Sequence, residues 1–94
     1  MDFQAILKEI EEKRAVLIDV REPFEWEEDH LIHSQLFPIN ELADHLKDLP
    51  RDRKIYTHCQ RGYRAKNAAE YLKREHFEAE PLKCSFEELK EAGL

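Results

Sequence analysis

KIYTHCQRGYRA, residues 54–65, passes from one kind of local structure to another within a single short stretch. Its first part, Lys54 to His58, carries Ile55, Tyr56 and Thr57, side chains that fit a pleated strand. From Gly62 onward, Ala65, Ala68, Ala69 and Leu72 recur at helical spacing, which predicts a helix over residues 62–76. A strand that feeds through a short loop into a helix is the building unit of a parallel α/β sheet. Cys59 falls in that loop, at the C-terminal end of the strand, where such sheets carry their functional groups. Taken alone, Cys59 is a buried packing residue, a redox thiol, or a nucleophile in a loop built for an anion.

The rest of the chain repeats the pattern. Phe3, Ile6, Leu7 and Ile10 predict a short amphipathic helix over residues 3–13. The run Ala15-Val16-Leu17-Ile18-Asp19-Val20 reads as a strand buried on both faces, closed by Arg21-Glu22-Pro23. Leu36 to Ile39 is a shorter extended piece, and Asn40 is the expected N-cap of a helix over residues 41–49 that Pro50 stops. Residues 80–84 form a weaker strand candidate, because Pro81 suits a strand start better than its interior. Ser85 caps a final helix over residues 86–92, with Glu88 at capping-box spacing and Gly93 at its end. Strands alternating with helices predict an α/β fold, a central, mainly parallel sheet flanked by helices on both faces.

Ninety-four residues with 41% hydrophobic and 38% charged content fit one small domain spanning residues 1–94. Two glycines and four prolines argue against disorder. A net charge of −6 disfavours nucleic acid as a partner, and no apolar window is long enough to cross a membrane. The first residues lack the basic and apolar regions of a secretory leader, and two cysteines 25 positions apart make no disulfide scaffold. A reduced thiol in the cytoplasm is the expectation. His30 and His33 are three apart but have no further ligands near them in sequence, so no metal site is expected. The acidic clusters around Glu9–Glu12 and Glu25–Asp29 read as solvated faces.

Three features near Cys59 favour its thiolate. The helix that starts near Gly62 aims free N–H groups and partial positive charge at the loop. Arg61 and Arg64 add full charges, and Gly62 permits the backbone angles of an anion-binding nest. Nucleophilic attack on an anionic substrate is the chemistry those parts support.

The loop Cys59-Gln60-Arg61-Gly62-Tyr63-Arg64 resembles the C-x-x-G-x-R loop of rhodanese-type sulfurtransferases. Asp19-Val20-Arg21-Glu22-Pro23-Phe24-Glu25-Trp26 matches that family's D-V-R-E-P-x-E-aromatic signature in full. His30-Leu31, Phe37-Pro38 and the closing helix extend the resemblance over nearly the whole chain. The resemblance implies transfer of a sulfane sulfur through a Cys59 persulfide, with no cofactor. The donor would be thiosulfate or a protein persulfide, and the acceptor cyanide in vitro or a thiol such as thioredoxin or glutathione. The amides of Gln60 to Arg64 would hold the outer sulfur as an oxyanion hole holds oxygen. Arg64 would support the loop, Arg61 would point outward and attract donors, and Asp19 and Arg21 would brace the loop wall. Cys59 and Arg64 enclose four residues where phosphatases of related fold enclose five, so the ring suits sulfur better than a phosphoryl group. A persulfide carrier or docking module of low turnover is the alternative.

Several positions depart from that pattern. Asp29 and His33 stand where the family writes glycine, which asks them for positive φ or the turns for a different path. Cys84-Ser85 replaces a second glycine pair, and Ala65 removes a hydroxyl that commonly follows the loop arginine. Cys84 is therefore either a space filler or a resolving thiol for Cys59. Phe24 and Trp26 read as core or pocket-rim aromatics, core being the commoner case.

Overall fold

Nine elements follow one another in the computed structural model, which describes residues 1–94: α1 Phe3–Glu11, β1 Ala15–Asp19, α2 Pro23–Glu28, β2 Ser34–Leu36, a 3₁₀ helix Ile39–Asp48, β3 Lys54–His58, α3 Tyr63–Arg74, β4 Ala79–Pro81 and α4 Phe86–Glu91. The strands form one sheet in the order β2-β1-β3-β4, and every neighbouring pair is parallel. β1 and β3 are the central strands, and their register sets Leu17 beside Tyr56 and Asp19 beside His58. This is the α/β layer arrangement that the alternating sequence predicts.

Two apolar clusters cover the two faces of the sheet. On one, Ile18, Val20 and Ile55 meet Ala65, Ala68, Ala69 and Leu72 of α3 and Leu42 of the 3₁₀ helix. On the other, Leu17 and Tyr56 meet Ile6 of α1 and Phe86 and Leu89 of α4. The alanines of α3 let that helix pack closely, which brings its first turn down onto the end of β3. No helix is long and apolar enough to cross a membrane.

Several elements differ from expectation. Residues 39–48 wind as a 3₁₀ helix that starts after Pro38, not as an α-helix capped by Asn40. Its bonds run three residues back, as in Glu41 N–H to Pro38 O at 2.9 Å. That winding stacks Ile39 over Leu42 and Leu46 over Leu49 on the core side. β2 occupies Ser34–Leu36 rather than the stretch from Leu36 to Ile39. β4 ends at Pro81, at the sheet edge where a missing N–H costs little. Asp29 is extended at φ −170°, and neither it nor His33 has positive φ, so the turns follow a different path. His30 stacks on Trp26 with ring centroids 3.8 Å apart, while His33 Nδ1 meets the Leu94 carbonyl at 3.1 Å.

Candidate active site

The site is built where β1 and β3 end side by side. β3 delivers Cys59, and Gly62 turns the chain at φ +107°, a left-handed angle that favours glycine, to cap α3. The return path closes on the thiol. Cys59 Sγ accepts the Gly62 N–H at 3.0 Å and the Ala65 N–H at 3.3 Å. Tyr63 and Arg64 begin α3, so their amides have no intrahelical carbonyl to donate to. Cys59 itself is 1% exposed and forms the floor of a cavity of about 250 Å³, lined also by Glu25, Gln60, Arg61, Tyr63 and Arg64.

A buried hydroxyl fastens the loop from below. Thr57 Oγ1 donates to the Ala65 carbonyl at 2.7 Å, tying the last turn of β3 to the first turn of α3. β1 fastens it from the side. Asp19, fully buried, accepts the Arg21 N–H at 2.9 Å and both carboxylate oxygens take the Arg21 Nε–H at 3.0 Å. Arg21 then donates to the Asp29 carbonyl at 2.7 Å and to Gln60 Oε1 at 3.4 Å, with its guanidinium 4.5 Å above the Phe86 ring. Arg21, held by Asp19, thus reaches Gln60 in the loop wall.

Glu25 closes the ring. Arg64 Nη1 and Nη2 donate to its two oxygens at 2.6 and 3.0 Å. Hydrogen bonding to Arg64 holds the Glu25 carboxyl below the ordinary carboxylate range, and the same contact raises Arg64. Glu25 is placed by α2, a helix the sequence reading passes over. Its signals are present in Glu22-Pro23-Phe24-Glu25: proline at the first helical position, and a glutamate whose Oε1 accepts the Glu22 N–H at 3.0 Å. α2 buries none of its residues, so Phe24 is 64% exposed rather than in the core, and Trp26 is half-buried against His30. Without an apolar stripe, a short helix gives periodicity nothing to detect.

His58 is the second residue that sequence alone leaves without a place. It is fully buried, and neither ring nitrogen has a hydrogen-bond partner; Nε2 is 3.7 Å from Asp19 Oδ2. Burial pushes its pKa down to about 4, with Asp19 opposing, so the ring is neutral near pH 7. Arg61 is exposed and lines the cavity. Cys84 is a free, half-buried thiol packed against the cluster on the opposite face of the sheet from the one that holds Cys59.

A family description, the rhodanese-like domain, matches residues 2–92. The chain belongs to the rhodanese-like domain family. Among curated proteins it is 34% identical over 62 residues to the uncharacterized protein YqhL of Bacillus subtilis, an alignment covering 66% of this chain and 49% of that protein. It is 32% identical over 63 residues to the thiosulfate sulfurtransferase GlpE of Pseudomonas syringae, covering 67% of this chain and 59% of GlpE. The chain therefore spans about half the length of these relatives. Its fold superimposes with a TM-score of 0.82 on a rhodanese-related protein from Thermoplasma volcanium, 29% identical, covering 99% of this chain and 91% of that one. In this rhodanese-like domain the Arg64 guanidinium that lines the Cys59 cavity is paired with Glu25.

Proposed function

We propose that the chain is a sulfurtransferase that carries sulfane sulfur as a persulfide on Cys59. The observation that supports this most directly is the sulfur's setting: Gly62 and Ala65 amides point at Sγ from 3.0 and 3.3 Å at the base of an open cavity. The Cys59 thiolate attacks the outer sulfur of thiosulfate or of a persulfide. The donor's S–S bond breaks, and sulfite or a thiolate leaves with the bonding pair. An acceptor thiolate, or cyanide, then attacks the outer sulfur of Cys59–S–SH and returns the Cys59 thiolate. The free amides at the start of α3 favour the negative charge that sits on the transferred sulfur in both steps. Acceptors of the thiol class, glutathione or a thioredoxin-like protein thiol, fit this second step.

Incubation with a sulfur donor is expected to add one sulfur to Cys59 by mass, and cyanide or a thiol to remove it. A Cys59→Ser variant loses both steps; retained transfer in that variant rejects the proposal. A carrier role with slow release is favoured by one observation. Cys59 is almost wholly covered, and Ala65 offers no hydroxyl beside the sulfur, so little in the site assists an acceptor. Fast loading with slow release to free thiols would assign that role.

A further inference from the structure

The arginine of the loop is already engaged. Both of its terminal nitrogens donate to Glu25, one to each oxygen. Glu25 is held in turn, because Oε1 also accepts the Glu22 N–H at the start of α2. The ion pair is 15% exposed on the glutamate side and 34% on the arginine side, so it forms the cavity wall itself. Of the charged groups lining the cavity, Arg61 alone makes no ion pair and no side-chain hydrogen bond. Two guanidiniums and one carboxylate leave a single net positive charge where the motif by itself suggests two. Gln60, which lines the cavity, donates from Nε2 to the Glu87 carboxylate at 3.1 Å, a further negative charge behind the wall. Tyr63, which lines the cavity, is 80% exposed and gives the approach an apolar ring face.

We propose that Glu25 is a specificity-determining residue of the Cys59 site, selecting organic persulfide donors with at most one negative charge over dianionic thiosulfate. The inference rests on the sulfurtransferase reading above. In the preferred step the Cys59 thiolate attacks the outer sulfur of R–S–SH, the S–S bond breaks, and R–S⁻ leaves with the pair while Cys59–S–SH forms. Thiosulfate brings one more negative charge toward both the Glu25 carboxylate and the attacking thiolate. A free Arg64 would offset that charge, but Glu25 has already neutralised it. The organic group R finds the exposed ring of Tyr63, whose face favours an apolar group over an inorganic oxyanion.

The test compares two donors of like chemistry and different charge, thiosulfate and the methanethiosulfonate anion, in which a methyl group replaces one charged oxygen. Cys59 loading is followed by mass spectrometry, and the ratio of the two second-order rate constants is read on one protein sample. Wild type is expected to favour methanethiosulfonate. Glu25→Gln shifts the ratio toward thiosulfate by about five- to tenfold, the size of one Coulomb contact near ~4 Å at a partly hydrated surface. Glu25→Asp, which keeps the charge, holds the wild-type ratio even if both rates fall. Arg61→Gln, at an exposed position, shifts the ratio the opposite way and keeps the test intact should Glu25→Gln fail to fold. An unchanged ratio in Glu25→Gln, an equal shift in Glu25→Asp, or a wild-type preference for thiosulfate overturns the inference and leaves the sulfurtransferase reading standing. Loading from neither donor overturns both.

Discussion

Two segments at the same edge of the sheet share one outline, a strand, a cysteine and a helix start, and only one of them makes a site. After β3, Cys59 receives the Gly62 and Ala65 amides, and the first amides of α3 are left without intrahelical partners. After β4, the start of α4 is satisfied locally. Ser85 Oγ accepts the Glu88 N–H at 3.2 Å, Glu88 Oε1 accepts the Ser85 N–H at 3.1 Å, and the Phe86 N–H goes to the Gln60 carbonyl at 3.0 Å. Cys84 therefore has no donor, and burial first, then the Glu88 carboxylate, pushes its thiol up. A capping box and an anion nest compete for the same amides. Ser85 and Gly62 decide which of the two forms, so a helix N-terminus becomes a site only where the chain declines to cap it.

That contrast breaks most sharply in thiol reactivity. Near neutral pH, iodoacetamide is expected to alkylate Cys59 about tenfold or more faster than Cys84, although Cys59 is the more deeply buried, because two amides face its sulfur while the Cys84 thiol is pushed up. Cys84 modification should keep climbing as pH passes the ordinary cysteine range, following its raised pKa. Peptide mapping of a timed series measures both. Faster labelling of Cys84 at neutral pH would mean that access, not the amides, sets reactivity. Mild oxidation followed by the same mapping tests Cys84 as a resolving thiol; its place on the opposite face from Cys59 leads us to expect no linkage between them.

The Cys59 side also carries a liability that the Cys84 side lacks. His58 is buried, unpaired and neutral, with its pKa lowered to about 4. The unfolded chain binds a proton near the ordinary ~6.5, so below that value the unfolded state holds more protons than the folded one. The stability from a neutral His58 is thus full above ~6.5 and is lost as pH falls toward 4. Between pH 7 and pH 5 the loss amounts to about 2 kcal/mol. Glu25 and Asp29, whose carboxyls are lowered, contribute stability that is lost only as pH falls through the ordinary carboxylate range and below, beneath most of this window. Urea midpoints at the two pH values measure it, and His58→Phe, which keeps a ring against Phe86, should remove most of the difference. An equal slope in the variant would place the proton elsewhere.

Much of this was open to reading in the chain itself, and the gaps have a physical pattern. The β-branched run of β1, the alanine stripe of α3 and the Ser85–Glu88 box are local signals, and the elements they predict are present. The cysteine and the turning glycine follow from the loop's own residues, while the Asp19–Arg21 brace was implied only by the family resemblance; the parallel register of β1 and β3 brings them together. The role of Glu25 is different, since its partner Arg64 lies 39 positions away and α2 shows no buried face to mark it. The 3₁₀ winding of residues 39–48 was equally hidden, because leucines at mixed spacings of three and four fit either helix until the core chooses. Local chemistry writes its signal in adjacent residues; pairing across the sheet edge does not.

The smallest effect tests how the loop keeps its amides on the sulfur. Thr57→Val preserves shape and removes only the hydroxyl that reaches Ala65 O. The Ala65 carbonyl, lying in the first turn of α3, still accepts from within the helix, so no acceptor is orphaned. The cost should stay near 1 kcal/mol, the net value of one internal hydrogen bond. Its functional consequence falls on one side of the comparison alone. The Ala65 amide donates to Cys59 Sγ, so a loosened first turn slows Cys59 alkylation and sulfur loading by a few fold, while the rate at Cys84, capped by its own Ser85 and Glu88 turn, stays unchanged. A parallel drop at both thiols would show that Thr57 holds the domain as a whole rather than the nest.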